Sequence, residues 1–334
     1  MDAMTHDAPA APTSRTQAAG LWLAVLSAAS FGLSGSLASG LMDAGWSAGG
    51  AVVVRVGVAA LVLLVPAWVA LRHRWRLLLA EARTVIAYGV VAVAGAQFAY
   101  FSAVRHMDVG VALLIEYTAP VTVVGWMWLR HNHRPGRLTA VGAGIAAIGL
   151  VLVLDLLSGA DLSVVGVAWA LVAMIGAAVY FVISARRSDL PPLVLAAAGL
   201  WLATAALLAA GLAGAVPLHA STGSVAYADV EVPFWLPVLG LGVVTAALAY
   251  VSGIAASRRL GPRMASFVGL LEVLAGLVFA WLLLHQLPSW VQFAGGVLVV
   301  VGVVVVKAGE ARPGADGTAE AEVLVRTASE RPAA

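Results

Sequence analysis

The sequence predicts an all-α integral membrane protein whose ten transmembrane helices form two inverted five-helix repeats. Of its 334 residues, 62% are hydrophobic and 11% are charged, a composition outside the range of soluble globular domains. Ten apolar stretches are each long enough to cross about 30 Å of hydrocarbon as a helix. These stretches are residues 21–41, 48–71, 84–104, 108–129, 138–154, 163–184, 190–213, 234–256, 263–284 and 289–306.

Two parts of the chain carry the same residue pattern, which indicates an internal repeat. Matched residues lie 150 positions apart up to a three-residue insertion near Leu260, and 153 positions apart after it. Because each repeat holds five spans, an odd number, the second must enter the membrane from the opposite side. We therefore predict inverted repeats at residues 20–155 and 163–307. The matched pairs are Ala99 with Ala249, Tyr100 with Tyr250, Ser102 with Ser252, Ala112 with Ala265, Trp128 with Trp281, Gly142 with Gly295, and Gly149 with Gly302.

Basic residues indicate the orientation of the spans. Of the 19 lysines and arginines, 17 fall on the same side of the predicted topology. By the positive-inside rule, both termini are cytoplasmic, in a bacterial-type inner (plasma) membrane. The tails at residues 1–19 and 308–334 are rich in small and charged residues, so we expect them to be disordered. The basic residues of the gaps between spans are Arg72, Arg74, Arg76, Arg83, Arg130, Arg134, Arg137, Arg186, Arg187, Arg258, Arg259 and Arg263.

Several chemical functions have no support in the sequence. The chain has no cysteine, which removes thiolate metal sites and cysteine nucleophiles. No nucleotide-binding or metalloprotease motif is present, so we expect no enzymatic activity, no cofactor, no metal and no nucleic-acid partner. Residues 32–35 match the Gly-x-Ser-Gly string of intramembrane serine proteases, but all seven histidines lie in tails, loops or helix ends.

Three ionisable residues fall inside predicted spans: Arg55, Glu116 and Glu272. Such residues are costly in a bilayer and mark functional sites or buried pairs. Arg55 and Glu116 both lie about 12 Å deep by helical rise, so a pair between them is possible if their helices face each other. The pair would either contact a substrate with amino and carboxylate groups or fix the helix register. Glu272 would either exchange a coupling proton or donate a hydrogen bond as a neutral acid.

Large polar side chains and one proline extend the list of candidate substrate or coupling residues. Gln97 and Tyr100 share a face of the third span, and Tyr180 and Tyr250 lie at comparable depths in the sixth and eighth spans. Pro120, near the middle of the fourth span, removes one backbone hydrogen bond. The carbonyl that it frees would meet substrate, or the proline would only kink the helix for packing.

The segments around these residues resemble a known family. Residues 99–103 (Ala-Tyr-Phe-Ser-Ala) and 109–121 (Val-Gly-Val-Ala-Leu-Leu-Ile-Glu-Tyr-Thr-Ala-Pro-Val) are similar to the third and fourth spans of EamA-type transporters in the drug/metabolite transporter superfamily. Residues 271–273 (Leu-Glu-Val) stand where members commonly carry Leu-Glu-Pro, and Arg55 resembles a common second-span arginine. The resemblance covers residues 20–307 and implies ten helices in two inverted repeats.

These observations predict a secondary active transporter that works by alternating access. The resemblance implies an exporter of small organic metabolites such as amino acids, with the lipid bilayer and the substrate as partners and protons as a candidate coupling ion. A multidrug or organic-cation exporter of the same fold is one alternative, and a lipid flippase or a scaffold is another. The residues leave the substrate, the direction of transport and the oligomeric state open.

Overall fold

The computed structural model of the chain describes residues 14–72, 74–104, 106, 115–131, 136–153, 163–285 and 289–310. Residues 108–114 of the predicted fourth span, and residues 1–13 and 311–334 of the predicted tails, lie outside the described residues. Six of the described helices are long and apolar enough to cross a membrane, and three shorter ones are also apolar. The six are Thr16–Asp43, Ala48–Leu71, Ala82–Tyr100, Val164–Ser184, Pro192–Leu212 and Trp235–Gly269.

The regular secondary structure of the first half is helical in its described residues. Helix α2 begins at a cap in which the Ser47 hydroxyl accepts from the Gly50 amide at 3.0 Å, and it ends at Arg72, whose φ of 45° is left-handed. A π-helical segment, Ala87–Gly95, joins α4 to α5 without a break. The helices are α1 (Ser14–Asp43), α2 (Ala48–Leu71), α3 (Trp75–Ala80), α4 (Ala82–Ile86), α5 (Ala96–Val104), α6 (Ala119–His131) and α7 (Arg137–Val153).

The second half adds a β-hairpin that the sequence reasoning did not anticipate. Strands β1 (Ser224–Tyr227) and β2 (Val230–Pro233) pair antiparallel, with Ser224 opposite Pro233. A second π-helical segment, Gly240–Leu248, joins α10 to α11. The helices are α8 (Val164–Ser184), α9 (Pro192–Leu212), α10 (Trp235–Leu239), α11 (Ala249–Gly269), α12 (Leu271–Leu284) and α13 (Trp290–Glu310). Helix α11 has two arms joined at a kink, because Gly261 has a left-handed φ of 79°.

The two π-helical segments have the same length of nine residues and begin 153 positions apart. The separation of 153 positions therefore applies on both sides of Leu260. The helix geometry thus requires no insertion there, in contrast to the residue identities. On this basis Tyr250 corresponds to Gln97, whereas the residue identities alone pair Tyr250 with Tyr100. Short identities arise easily by chance in a chain so rich in a few apolar residue types, and the shared helix geometry is the stronger marker.

Each π-helical segment packs on the second long helix of the other half. A methyl group added at Gly89 would lie 2.7 Å from the Gly199 carbonyl oxygen of α9. At Gly242 the added methyl would collide with the Val58 side chain of α2. Small residues therefore bring the two halves into close contact at equivalent places, as in other membrane helix pairs.

Helices α7 and α13 pack through the glycines that the repeat pairs. An added methyl at Gly142 would lie 2.8 Å from the Gly302 carbonyl oxygen, and one at Gly149 would lie 2.6 Å from that of Gly295. The contacts run in opposite directions along the two helices, so the helices are antiparallel. The repeat pairs Gly142 with Gly295 and Gly149 with Gly302, so the Gly142–Gly302 and Gly149–Gly295 contacts are equivalent. A twofold axis between the two helices produces this relation.

Replacing single glycines of α7 by alanine tests this packing. Gly142→Ala should lower the free energy of unfolding by about 1–3 kcal/mol, because the methyl group would push backbone atoms of α13 away. Gly144 is the matched control, since an added methyl there has no neighbour within 4 Å among the described residues. Gly144→Ala should leave stability unchanged or raise it by up to ~1 kcal/mol. Equal thermal unfolding midpoints for the two variants in detergent would contradict the contact.

Candidate functional site

A cavity of about 790 Å³ lies between residues of the two halves. Its walls come from α1, α2, α5, α6, α8, α11 and α12, and from residues of both π-helical segments. The structure brings together on this wall every candidate that the sequence singled out, while the role of each stays a prediction. These residues are Arg55, Gln97, Tyr100, Glu116, Pro120, Tyr180, Tyr250 and Glu272.

In two spans a turn interrupts the regular α-helix at the cavity wall, and the backbone of Leu270 keeps right-handed angles (φ −58°, ψ −20°). Helical backbone at residues 115–116 gives way to a turn at Tyr117 and Thr118 before α6 begins, and Leu270 interrupts the chain between α11 and α12. The positions of Tyr117 and Leu270 differ by 153, so the breaks are equivalent in the repeat. Discontinuous helices with exposed backbone groups are typical of substrate and ion sites in transporters.

The break changes the interpretation of Pro120. The sequence suggested a proline near the middle of a continuous helix, where it would remove a hydrogen bond. In the structure Pro120 is the second residue of α6, where a missing N–H costs nothing because that group has no intrahelical partner. Val273 holds the corresponding position of α12, so the second break forms without a proline.

Arg55 is buried, with 8% of its surface exposed. Its Nη2 donates to the Thr245 carbonyl oxygen at 2.8 Å, and its guanidinium carbon lies 5.6 Å from the centre of the Phe31 ring. The Arg55 Nε is buried without a hydrogen-bond partner in the described part of the chain. Thr245 belongs to the second π-helical segment, a helix type that often marks functional sites. Arg55 therefore links α2 of one half to the other half.

The ion pair expected between Arg55 and Glu116 is not a direct contact. Among the described residues, no carboxylate oxygen lies within the 4.0 Å ion-pair limit of the Arg55 guanidinium. The two side chains share a cavity wall, but the Thr245 carbonyl takes the hydrogen bond. Equal depth in the membrane did not determine which way the two helices face.

Aromatic rings form one side of the cavity. Phe31 contacts Tyr250 edge to face at 5.0 Å between ring centres, and Tyr180 lies 5.9 Å from Tyr250. Tyr88 packs behind them, fully buried and 5.9 Å from Tyr180. The Tyr180 hydroxyl, directed at Gly253, finds no hydrogen-bond partner within the described ranges. Such a cluster binds apolar groups by burying their surface, and it attracts cations to the faces of its rings.

Glu272 lies in the first turn of α12, and Tyr117 lies close enough for its hydroxyl to interact with the carboxyl group. Gly32 of α1 allows the backbone of α1 to approach this turn, since an added methyl would lie 2.7 Å from the Glu272 carbonyl oxygen. Glu272 and Glu116 therefore flank equivalent breaks on opposite halves. Within the described residues, no group of three or more His, Asp or Glu could hold a metal ion.

Sequence reasoning missed Phe31 and Tyr117, which also line the cavity. Phe31 shares a helix face with Ser27 and Ser34, at spacings of four and three. An aromatic ring between two hydroxyls on one helix face is the sequence signal that could have marked this side of the cavity. Tyr117 stood beside Glu116 in the family-like segment, without any sign that the helix breaks there.

The cavity reaches exposed residues at one end only of the described wall. At one end Ser257 and Ser266 are each 1% exposed, whereas at the other end Met42 is 38% exposed. The β-hairpin lies at this second end. The Tyr227 hydroxyl donates to the Leu37 carbonyl oxygen at 2.7 Å, and the Ala228 amide donates to that of Leu283 at the same distance.

The hairpin therefore holds the ends of α1 and α12 beside the mouth of the cavity. Burial, followed by the nearby Asp43 charge, raises the pKa of the Tyr227 hydroxyl. Tyr227 consequently remains a protonated donor to Leu37 at neutral pH.

Comparison with known proteins assigns the fold to a family. Residues 18–155 and 164–308 each match the EamA-like transporter family. The chain belongs to this family. An uncharacterized transporter from Archaeoglobus fulgidus is 26% identical to this EamA-like protein over 208 residues, which cover 62% of this chain and 70% of that protein. A solved crystal structure matches 90% of this chain and 99% of its own with a TM-score of 0.68 at 21% identity, a likeness in fold.

The contact between Gly253 and Tyr180 can be tested by a double-mutant cycle. Gly253→Ala should lower the free energy of unfolding by about 1–3 kcal/mol, since the added methyl collides with the Tyr180 hydroxyl. Tyr180→Phe should recover part of this loss, because it removes the colliding oxygen. Gly276→Ala is the control, with its nearest neighbour, the Gly32 carbonyl oxygen, 3.6 Å from the added methyl. Additive thermal shifts in the Gly253/Tyr180 pair would refute the contact.

Proposed function

We propose that the protein is a secondary active transporter that exports small organic metabolites such as amino acids by alternating access. One observation carries the proposal: three ionisable side chains, Arg55, Glu116 and Glu272, line a single cavity, and beside it a turn interrupts one helix of each half. Membership of a transporter family supports the same class of function. The cavity volume is in the usual range for small-molecule sites.

The proposed architecture is ten transmembrane helices in two inverted repeats, with both termini in the cytoplasm of a cell with an inner membrane. Two features support the inversion: the antiparallel glycine contacts of α7 and α13, and the equivalent contacts of the two π-helical segments. The arginine-rich links support the orientation, because the rule counts the basic residues of short loops. Arg186 and Arg258 lie together at one end, and Asp229 and Glu231 lie in the hairpin at the other.

The chemistry of the cavity fits a zwitterionic solute. The Arg55 guanidinium lines the cavity, where it can bind a carboxylate by a charge-assisted hydrogen bond. Glu116 and Glu272 offer carboxylates to an ammonium group. The rings of Phe31 and Tyr250 offer apolar surface to a side chain.

An organic-cation exporter is the second candidate, and the charges of the same cavity favour it. Two carboxylates face one guanidinium there, and aromatic faces attract cations. Proton exchange at Glu272 would couple either activity to the proton gradient, because a carboxyl group inside a membrane gains or loses charge at a high energetic cost.

Purified protein in proteoliposomes distinguishes the candidates. Radiolabelled amino acids, cationic dyes and a fluorescent phospholipid are offered in turn, with a proton gradient or with a membrane potential alone. We expect saturable transport of an amino acid that accelerates with the proton gradient. Transport restricted to dyes would support the cation exporter, and movement of phospholipid would support a flippase. If no compound is transported, the result would support a scaffold role.

Substitutions of the three ionisable residues of the cavity test their roles separately. Arg55→Met should lower transport of an amino acid about tenfold or more, the loss expected for one charge-assisted hydrogen bond. Glu116→Gln should weaken binding of the ammonium group and raise KM. Glu272→Gln should keep exchange of substrate across the membrane but remove the response to a proton gradient.

Glu231→Gln is the control for these charge changes, because Glu231 lies exposed in the hairpin, where it accepts only from Ser224 at 3.2 Å among the described residues. It should transport at the unchanged rate. If the Arg55→Met/Glu116→Gln double variant transports normally, these two residues have a structural role only. A full response of Glu272→Gln to the proton gradient would exclude Glu272 as the coupling site.

A further inference from the structure

The closed end of the cavity is a floor of small buried residues. Ala256, Ser257, Ala265 and Ser266 line the cavity there, and each is at most 3% exposed. The Ser257 hydroxyl is buried and has no hydrogen-bond partner in the described segments. A solute could therefore pass this end only if these residues of α11 move away from the helices that they pack against.

Directly beyond the floor lies a second, smaller pocket of about 480 Å³. Its residues come from three places in the chain: the link between α3 and α4, the link between α8 and α9, and α11. Only the first of these belongs to the first half. The lining residues are Glu81, Ala185, Arg186, Arg187, Ser188, Asp189 and Arg258.

Glu81 joins these three elements. Its Oε1 accepts from the Ser188 hydroxyl at 3.1 Å, and its Oε2 accepts from the Thr84 hydroxyl at 2.8 Å. The carboxylate also lies close enough to attract the half-buried Arg258 guanidinium. Because Arg258 directly follows Ser257 in the chain, the attraction holds the cavity floor against the first half.

Ser188 extends the connection to a third helix. Its hydroxyl oxygen accepts from the Leu190 amide at 3.1 Å, just before α9 begins at Pro192. A single carboxylate of the first half is thus connected to α9 and α11 of the second. All of these bonds lie at the end of the molecule opposite the hairpin, where the other end of the cavity reaches exposed residues.

We propose that Glu81 is a gating residue: with Ser188 and Arg258 it keeps the cytoplasmic end of the cavity closed while the opposite end is open. The proposal rests on the proposed alternating-access function. In that cycle the two halves separate at this end, so the hydrogen bond between Glu81 and Ser188 must break and Glu81 must move away from Arg258. Hydrogen bonds and charges at a hydrated membrane surface suit this task, because water replaces each partner when the gate opens.

Thiol labelling tests the gate without knowledge of the substrate, because the chain has no cysteine of its own. Ser257→Cys places a single thiol on the cavity floor, and Ala265→Cys is a second reporter. Inverted membrane vesicles expose the cytoplasmic surface to a membrane-impermeant maleimide. We expect slow labelling of each reporter alone and labelling at least fivefold faster when Glu81→Ala is added.

Asp189→Asn is the matched control. Asp189 lines the same pocket, but its side chain makes no hydrogen bond within the part of the chain that the structure describes. Its replacement changes the pocket charge by the same amount as Glu81→Gln and should leave labelling unchanged. Glu81→Gln keeps the side-chain volume, so it replaces Glu81→Ala if the alanine variant does not fold, and it should accelerate labelling to a smaller extent.

Cross-linking tests the opposite change, in which the gate is held closed. Glu81→Cys and Ser188→Cys, joined by a short cleavable thiol reagent, should abolish transport in proteoliposomes, and cleavage should restore it. Unchanged labelling in both Glu81 variants, or acceleration equal to that of Asp189→Asn, would overturn the gate. Either result leaves the proposed function intact, whereas a wild-type protein that transports no compound fails the proposed function whatever the labelling rates.

Discussion

The guanidinium of Arg55 needs a partner inside the membrane, and much of the cavity depends on how it finds one. A buried charge without hydrogen bonds is too costly to keep. The Thr245 carbonyl of the second π-helical segment accepts from it at 2.8 Å, and the Phe31 ring lies against it. These contacts tie α2, α1 and the second π-helical segment together, so the two halves meet around one cation and the cavity forms beside it.

The ionisable and large polar residues that the sequence singled out inside the spans all lie on the cavity wall. Burying an ionisable or large polar group inside a span is costly wherever the span ends up. Arg55, Glu116 and Glu272 could therefore be selected one at a time, without knowing their neighbours. The same energetic cost keeps Gln97 and Tyr180 away from lipid, and all five line the cavity.

Contacts between distant parts of the chain could not be predicted in this way. Matching depth suggested that Arg55 pairs with Glu116, but depth leaves the rotation of each helix undetermined. The break at Leu270 has no proline to announce it, since Val273 stands where one is common. The π-helical segments were also missed, because their apolar residues suit an α-helix equally well and their form depends on packing against α2 and α9.

The hairpin makes the two faces of the molecule unequal. Tyr227 and Ala228 bind the ends of α1 and α12, and the first half of the chain has no strand in its described residues. Two conformations exchanged by an ideal twofold axis would have the same energy and equal populations. A hairpin bound to one face removes that equivalence, so in the proposed alternating-access cycle the two orientations of the cavity would differ in free energy.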